Sequence, residues 1–358
     1  MSMTGEFNIV YTPGTVRYLS FFVWSLLKWT PVSFRMVSNG CLPQEQRYLA
    51  KLCRQEPRLE FWAIPTKTSL PHGLALNYLQ ALGRGEFFCF MDSDIFATGD
   101  FAAEFEPHLS EQAGIFGGMP IWVKADEEIL PAGFQHLTGM FNRTADGLLL
   151  GNTFFAIYRN ELLTEIMQSS GVGFETYRWA EIPAGAQAQL RSLGMDLASY
   201  DTGKVLNLLL LAQGGKLANL ALPSLCHIGG TSFQVFYDQA PKRVKNRLGE
   251  LLSGWGMGPA VARWRRARAA VFYRAAYTNS PQAEVILNLE QRVDRRDPVR
   301  QYFLRLLHVL SQGAPPPPPL VTGDLETDAK ALQARAHLLA LFAESSEWLK
   351  GEQASWRT

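Results

Sequence analysis

The 358-residue sequence lacks several features that mark common protein classes. Its net charge is only +1, from 34 Lys and Arg against 33 Asp and Glu, so it has no basic excess to neutralise nucleic-acid phosphates. Its four cysteines are Cys41, Cys53, Cys89 and Cys226. None of them forms a CxxC pair, which argues against both a zinc module and a disulfide framework. We therefore expect no nucleic-acid partner and a reducing compartment.

Long apolar runs are also absent. Residues 18–27 are apolar but too few to cross a bilayer, which takes about 20 residues. Residues 205–222 are interrupted by polar residues and glycines. The first residues contain neither the basic nor the apolar region of a secretory signal. These absences predict a soluble, cytoplasmic protein.

Short apolar runs alternate with amphipathic stretches over the first hundred residues. Strands are predicted at FNIVYT, VSFRMVS, LEFWAI and EFFCFM, and helices between them at 16–28, 44–53 and 74–82. This alternation predicts an α/β fold with a mainly parallel, Rossmann-like sheet flanked by helices. Ligands bind such sheets at the carboxyl ends of the strands, so the chemistry is expected in the loops after each strand.

The pattern is less regular beyond residue 100. We predict a strand at 152–157, a buried helix or strand at 205–211, a strand at 217–226 and a helix at 328–350. Residues 1–240 are interpreted as one α/β domain. Residues 241–358 are interpreted as a mainly helical C-terminal extension with a proline-rich connector at 315–319.

The strongest chemical signal is FFCFMDSDIF, an apolar strand that ends in two carboxylates separated by one residue. Alternate residues of an extended chain point the same way, so Asp92 and Asp94 are expected to face one small volume. Two carboxylates there repel each other unless a cation joins them, and a hard divalent ion with oxygen ligands does so. A capped turn after a buried strand is the alternative interpretation.

The wider run HGLALNYLQALGRGEFFCFMDSD resembles nucleotide-sugar glycosyltransferases of the GT-A fold, in particular the family 2-like group. The residues that match the helix, turn, strand and DxD pattern of that group are Gly73, Asn77, Gly85, Glu86, Asp92 and Asp94. The resemblance covers residues 7–232 and implies a GT-A catalytic domain within 1–240. It implies a hexosyltransferase that uses a nucleotide-diphosphate sugar, for which UDP is the expected nucleotide.

The resemblance also implies which residues bind the donor: Thr12, Pro13, Gly14, Thr15, Asn39, Gly73, Asn77, Asp92 and Ser93. Of the two acids, Asp92 would contact the ribose or the metal, and Asp94 would ligate the metal directly. An ordinary turn is the alternative both for Pro13-Gly14 and for Ser38-Asn39-Gly40.

A second motif, LCHIGGTS, resembles the late histidine of metal-dependent GT-A enzymes. Imidazole binds Mn²⁺ or Mg²⁺ beside a carboxylate, and nitrogen ligation favours Mn²⁺. Two glycines after His227 permit close approach of the backbone to a phosphate. Asp92, Asp94 and His227 are therefore the predicted metal ligands, and a purely structural histidine is the alternative.

An inverting transferase needs a carboxylate that takes the proton of the acceptor hydroxyl. The candidates are Asp201 in SYDTGKVLNLLL and Glu181 in YRWAEIPAG, and Asp201 resembles the family's base more closely. Asp201 precedes a predicted apolar helix, so a helix cap is its alternative role. A helix N-terminus lowers the pKa of a carboxylate, which predicts an ionised but weak base.

The sequence leaves the acceptor open between a glycan, a lipid-linked molecule and a small molecule. Three aromatic residues have two alternative interpretations, stacking on a sugar ring or packing in the core: Trp122, Tyr177 and Trp179. Lys and Arg outnumber Asp and Glu over residues 241–300, where 242–247 suggest a lid over the diphosphate. The basic and aromatic residues of 263–273 suggest contact with the inner face of a membrane. For each of these two segments, 242–247 and 263–273, a solvated helix surface is the alternative interpretation.

Other functions remain open beside an inverting transferase. A retaining glycosyltransferase shares the motifs, and a non-catalytic binding or scaffold protein shares the fold. A sugar-nucleotide pyrophosphorylase requires a Gly-rich basic loop after the first strand. The sequence TPGTVR offers one glycine and Arg17 there, which disfavours a pyrophosphorylase.

Overall fold

The structure is a computed structural model that describes residues 6–124, 150–197, 199–232 and 282–345, with side chains of the last range from residue 295. Its strands are β1 (Glu6–Tyr11), β2 (Ser33–Ser38), β3 (Leu59–Ala63), β4 (Phe87–Asp92), β5 (Ile95–Ala97), β6 (Gly114–Gly117), β7 (Phe155–Arg159), β8 (Tyr177–Arg178), β9 (Ser199–Tyr200), β10 (Leu217–Asn219) and β11 (Leu225–His227). Its helices are α1 (Val16–Leu19), α2 (Val23–Trp29), α3 (Pro43–Cys53), α4 (His72–Leu82), α5 (Ala102–Phe105), α6 (Asn160–Ser170), α7 (Ala184–Ser192), α8 (Lys204–Ala212), α9 (Gln282–Ser311) and α10 (Leu325–Glu344).

Seven strands form the main sheet, in the order β10-β6-β7-β4-β1-β2-β3. β1, β2, β3 and β4 are mutually parallel, β10 is parallel to β6, and β7 is antiparallel to both of its neighbours. Parallel neighbours need crossover connections, which the helices between the first four strands supply. The predicted α/β class, with a mainly parallel sheet flanked by helices and a helical C-terminal region, is confirmed.

The elements predicted for the first hundred residues are confirmed, with one interruption. The first helix is divided into α1 and α2 by the 3-10 turn Ser20–Phe22. The single strand predicted at 217–226 is wrong, because β10 joins the main sheet and β11 pairs with β5 in a separate sheet. Pro223 lies between them and has no N–H to donate to a ladder. Residues 205–211, left open between helix and strand, form most of α8.

β4 is apolar on both faces of the sheet and leads directly to the two acids, with Asp92 as its last residue and Asp94 in the turn that follows. Phe87, Cys89 and Met91 point into one core cluster, and Phe88 and Phe90 into the other. This alternation follows from the two-residue repeat of an extended chain. The strand therefore exposes polar chemistry only at its carboxyl end, where Asp92 is its last residue.

The C-terminal helices pack on the same core as the sheet. Val299, Phe303 and Leu306 of α9 and Leu338 of α10 belong to the apolar cluster that contains Phe7 of β1. The prolines at 315–319 lie outside regular secondary structure between the two helices. The helix predicted at 328–350 begins earlier and ends earlier, as α10. The predicted domain division at residue 240 lies outside the described residues.

Among the helices that the structure describes, none combines the length and the apolarity that a membrane span requires.

Candidate metal centre

Asp92 and Asp94 lie on either side of the turn between β4 and β5. The Asp92 backbone N–H donates to the Phe154 carbonyl at 2.7 Å, which joins β4 to the segment before β7. One oxygen of Asp94, Oδ2, accepts the backbone N–H of Thr231 at 2.8 Å. Asp94 is only 2% exposed, so its carboxylate has one oxygen fixed and the other directed into the protein.

His227 is the last residue of β11, which pairs with β5 immediately after Asp94. Its Nδ1 lies 2.6 Å from the Gly118 carbonyl oxygen, an acceptor, so Nδ1 carries the proton. Its Nε2 is buried, has no hydrogen-bond partner among the described residues, and lies 3.2 Å from Asp94 Oδ1 and 3.6 Å from Asp92 Oδ2. In the neutral ring this nitrogen carries a lone pair, which faces two carboxylates.

The charges of the three side chains fit a divalent cation. Burial raises the pKa of Asp92 to about 7. Attraction by His227 lowers this pKa, and repulsion by Asp94 raises it further. Burial opposes ionisation of Asp94 as well, but His227 and the N–H of Thr231 bring its pKa below the usual value. Burial opposes the charge of His227, yet Asp94 and Asp92 raise its pKa. The cluster therefore needs positive charge, from a proton or from a metal.

The spacing of the ligand atoms fits one small ion. The ligand atoms of Asp92, Asp94 and His227 all lie within 4.8 Å of one another. Atoms that bind one ion at about 2.1 Å lie about 3 to 4 Å apart, as the two His227–carboxylate distances do. The structure thus brings together the three predicted metal ligands, and their oxygen and nitrogen atoms suit Mn²⁺ or Mg²⁺.

Gly229 and Gly230 form a tight turn one residue after His227. Both have positive φ, 83° and 80°, a conformation that glycine adopts without strain. A Cβ on Gly229 would lie 2.6 Å from Pro120 Cβ, and one on Gly230 would lie 1.9 Å from Nη2 of Arg300. A larger residue at either position would clash with Pro120 or with Arg300 of α9, which explains the two glycines.

The loop after β1 is held in place by its own threonine and by a buried acid. Thr15 Oγ1 donates to the Thr12 carbonyl at 2.7 Å and accepts the Thr12 N–H at 3.1 Å. The Gly14 N–H donates to Glu45 Oε1 at 2.8 Å, and the Leu42 N–H donates to Glu45 Oε2 at 2.9 Å. The loop, including Pro13, is thus prearranged at the carboxyl end of β1, and donor contact by residues 12–15 stays a prediction.

Asn39 and Ser93 connect segments around the site. Asn39 Nδ2 donates to the Leu70 carbonyl at 2.9 Å, and its Oδ1 accepts the Leu70 N–H at 2.8 Å. Both polar atoms of this buried side chain are thus used in joining two loops, which favours the structural interpretation over donor contact. Ser93 Oγ lies 3.3 Å from Ser232 Oγ, which ties the DxD turn to the segment after His227.

Gly73 and Asn77 of α4 contact the segment before β8. A Cβ on Gly73 would lie 2.5 Å from the Phe174 carbonyl oxygen, and Asn77 Oδ1 accepts the Phe174 N–H at 2.7 Å. The Phe174 carbonyl in turn accepts the Gly203 N–H at 3.0 Å. In this structure these two residues position the segment beside Asp201, and their role in donor binding stays a prediction.

Asp201 lies between β9 and α8 but does not cap the helix. Its Oδ1 accepts the N–H of the next residue, Thr202, at 2.9 Å, and α8 has no side-chain cap. Burial raises the pKa of Asp201, although the Thr202 N–H and Lys204 act in the opposite direction. The lowered pKa expected from the helix N-terminus is wrong, because burial outweighs the Thr202 N–H and the charge of Lys204. A raised pKa makes Asp201 a stronger base.

Glu181 is the other predicted base, and it is exposed. Its Oε2 accepts the Arg178 N–H at 2.7 Å at the start of the 3-10 turn Trp179–Glu181. Trp122 is buried in the main core cluster, while Tyr177 and Trp179 pack partly buried against the second. The lid residues 242–247 and the basic stretch that includes Arg263, Arg265, Arg266 and Arg268 lie outside the described residues.

Sequence reasoning did not identify Lys204, a buried lysine at the start of α8. Its Nζ donates to the Leu150 carbonyl at 3.1 Å, the Gly151 carbonyl at 2.7 Å and Asn152 Oδ1 at 2.7 Å. This segment leads to Phe154, whose carbonyl accepts the N–H of Asp92 and whose ring lies 4.9 Å from that of His227. A lysine at the head of the apolar run KVLNLLLL was the available sequence signal.

Replacing Lys204 by methionine should destabilise the fold strongly. The change leaves three buried acceptors without a donor, and each orphaned group costs about 1–3 kcal/mol. We expect the free energy of unfolding to fall by about 3 kcal/mol or more, measured by urea denaturation. Lys216→Met, which changes an exposed lysine, is the control and should change it little. Equal effects of the two changes would show that these hydrogen bonds do not stabilise the fold.

Comparison with known proteins adds distant structural neighbours. No protein-family model and no curated protein matches the chain. The chain is similar to the mannosyltransferase PcManGT from Pyrobaculum calidifontis in complex with GDP-Man and Mn²⁺, at 14% identity and a TM-score of 0.38, over 98% of this chain and 84% of that one. It is similar to the galactosyltransferase LgtC in complex with donor and acceptor sugar analogues, at 14% identity and a TM-score of 0.39, over 60% and 73% of the two chains.

A third neighbour is S. aureus TarS 1-349, at 16% identity and a TM-score of 0.36, over 84% of this chain and 92% of that one. Likenesses at such low identities and TM-scores carry no inference about function. The functional conclusion rests on the residues of the metal centre and on the motifs that lead to it.

Proposed function

We propose that the chain is a metal-dependent glycosyltransferase that moves a hexose from a nucleotide-diphosphate sugar to an acceptor hydroxyl. The observation that carries the proposal is the convergence of Asp92, Asp94 and His227, with a buried imidazole nitrogen facing two carboxylates at the carboxyl edge of the sheet. This edge is where α/β sheets bind their ligands. The motif resemblance supplies the reaction class, and we expect UDP as the nucleotide and Mn²⁺ as the ion.

Each residue of the site has a part in that reaction. Asp92, Asp94 and His227 would hold a divalent ion, which would supply Lewis-acid stabilisation of the departing diphosphate. Thr231 and Gly118 fix the two buried ligands through hydrogen bonds, so the ligands are oriented before any ion binds. Asp201, the better-buried of the two candidate bases, takes the proton of the acceptor hydroxyl in an inverting transfer.

The competing functions differ in what they require of the site. A scaffold protein has no need of a buried imidazole nitrogen facing two carboxylates, an arrangement that is costly without a cation. A pyrophosphorylase requires a glycine-rich loop after β1, whereas the loop here has one glycine and is closed by Thr15 and Glu45. A retaining transferase has the same metal centre, and the variants of Asp201 distinguish it from an inverting one.

Donor binding tests the proposal directly. With Mn²⁺ present, a panel of UDP-, GDP- and dTDP-sugars should contain at least one that raises the unfolding temperature, because a ligand of the folded state stabilises it. A chelator should remove that shift, and the same donor should be hydrolysed slowly without acceptor. Equal protection with and without metal would contradict the proposal, and protection without any hydrolysis or transfer would favour the scaffold function.

A further inference from the structure

Glu45 of α3 is a buried carboxylate that binds two separate segments. Its Oε2 accepts the N–H of Leu42 at 2.9 Å, the contact expected of a glutamate in the first turn of a helix. Its Oε1 accepts the N–H of Gly14 at 2.8 Å, which lies 31 residues away in the loop after β1. The helix cap needs only the first contact, so the second has a separate effect, which is to tie the loop to α3.

The interior position of this carboxylate is costly. Glu45 is only 2% exposed, and burial raises its pKa, while backbone N–H groups, those of Leu42 and Gly14 among them, lower it. A buried charge is stable only where such groups compensate it. A glutamate that capped the helix from the surface would not incur this cost. The contact with the loop after β1 is what the interior position provides.

Glu45 also takes the last free backbone donor of the loop after β1. The Thr12 N–H donates to Thr15 Oγ1, the Thr15 N–H donates to the Thr12 carbonyl, and Pro13 has no N–H. The N–H of Gly14 is the one that Glu45 accepts. Within the part of the chain that the structure describes, the carbonyls of Pro13 and Gly14 have no hydrogen-bond partner. The backbone of the loop therefore offers acceptors and no donor.

A backbone that offers only acceptors suits a nucleoside better than a phosphate. The ring N–H of uracil or guanine and the hydroxyls of ribose are donors, whereas a phosphate needs donors or cations around it. β1 lies parallel to β4 with Val10 beside Asp92, so the loop begins next to the metal centre. The nucleoside of a donor therefore fits this loop, and its diphosphate fits the metal centre.

We propose that Glu45 is a positioning residue for the nucleoside of the donor. By accepting the Gly14 N–H, it holds the loop after β1 in the conformation in which the carbonyls of Pro13 and Gly14 accept hydrogen bonds from the base or the ribose. Glu45 acts through Gly14 and does not touch the nucleotide. The proposal rests on the proposed function, because the nucleoside belongs to the nucleotide-sugar donor.

The test separates the nucleoside from the phosphates. Binding of UDP, GDP, dTDP and pyrophosphate is measured by calorimetry in excess Mn²⁺. Glu45→Gln keeps one acceptor, which suffices for the helix cap, and loses the other. It should weaken the nucleotide that the wild type binds by about 10-fold or more, the scale of one charge-assisted hydrogen bond. Pyrophosphate has no nucleoside, so its affinity should stay at the wild-type value.

Two further variants locate the effect. Glu56→Gln makes the same change at a glutamate just beyond the end of α3, which also accepts a backbone N–H, that of Arg58, and it should bind the nucleotide as the wild type does. Gly14 has a φ of 85°, so Gly14→Ala strains the other partner of the hydrogen bond. Gly14→Ala should weaken the nucleotide as Glu45→Gln does. The two changes together should cost little more than one, because they break the same contact.

Each other outcome has its own meaning. If Glu45→Gln binds the nucleotide as tightly as the wild type, or weakens nucleotide and pyrophosphate equally, the assignment of Glu45 is overturned. Fully additive effects of Glu45→Gln and Gly14→Ala overturn it as well. If Glu45→Gln does not fold, Gly14→Ala decides, and unchanged nucleotide affinity in that variant overturns the assignment. If the wild type binds none of the three nucleotides in the presence of Mn²⁺, the proposed function itself fails.

Discussion

Asp94→Asn should abolish detectable sugar transfer while the protein keeps its fold. The amide has the same shape as the carboxylate, and its oxygen can still accept the N–H of Thr231. It is neutral, however, and binds a divalent ion far more weakly than a carboxylate does. Without the ion the departing diphosphate is not stabilised, so we expect transfer to fall by about 10³-fold or more. The rate is measured with the donor found in the nucleotide-sugar panel.

The control for this variant is Asp100→Asn. Asp100 is exposed and accepts the N–H of Ala102 at the start of α5, which an asparagine side chain can also do. We expect wild-type transfer from it. Mn²⁺ affinity, followed by electron paramagnetic resonance, should be lost in Asp94→Asn and kept in Asp100→Asn.

The wild-type protein provides a second arm of the same test. A chelator should remove transfer, and Mn²⁺ should restore more of it than Mg²⁺ does, because His227 supplies a nitrogen ligand. Full transfer in metal-free buffer, or normal transfer by Asp94→Asn, would show that the cluster has another purpose. A proton on His227 would then be the group that balances the two carboxylates.

The metal centre could be predicted because its parts follow strand ends. β4 is apolar on both faces, so its first polar residues had to lie at its carboxyl end, where α/β sheets bind ligands. His227 is distant in the sequence, but it too ends a strand. The antiparallel pairing of β11 with β5, which no local pattern indicates, is what brings it to Asp94.

The remaining residues of the site depend on contacts that local patterns do not encode. Asn39 after β2 and Asn77 in α4 bind backbone groups of segments that are distant in sequence. A local pattern does not distinguish such contacts from contacts with a ligand. Arg300 contacts the turn at Gly229 only because α9 packs on the core of the sheet. A sequence indicates that an arginine is basic and helical, and packing decides which group it faces.

The pKa of Asp201 also depends on contacts that the local sequence does not encode. The helix that follows predicts a lowered pKa, because a helix N-terminus favours negative charge. Burial raises the pKa of Asp201 instead, against the effects of the Thr202 N–H and of Lys204. Burial depends on segments that come from other parts of the chain. One of them is the segment at Phe174, whose carbonyl accepts a hydrogen bond from Gly203, two residues after Asp201.

Asp201→Asn should lower sugar transfer by about 10²-fold or more, the scale expected for the loss of a general base. The amide can still accept the N–H of Thr202, so the fold and the binding of donor with Mn²⁺ should stay near wild type. A general base acts only when ionised, and burial raises the pKa of Asp201. In the wild type, transfer should therefore fall as the pH is lowered through a value above the usual aspartate pKa. Asp201→Asn should lose this limb of the pH profile.

Glu181→Gln is the matched control for Asp201→Asn, because it also replaces a carboxylate by its amide. Glu181 is exposed and accepts one backbone N–H, which glutamine can also accept, so transfer should change little. Normal transfer by Asp201→Asn together with loss in Glu181→Gln would reverse the assignment of the base. If both variants transfer normally while Asp94→Asn does not, a retaining mechanism, which needs no such base, becomes the better explanation.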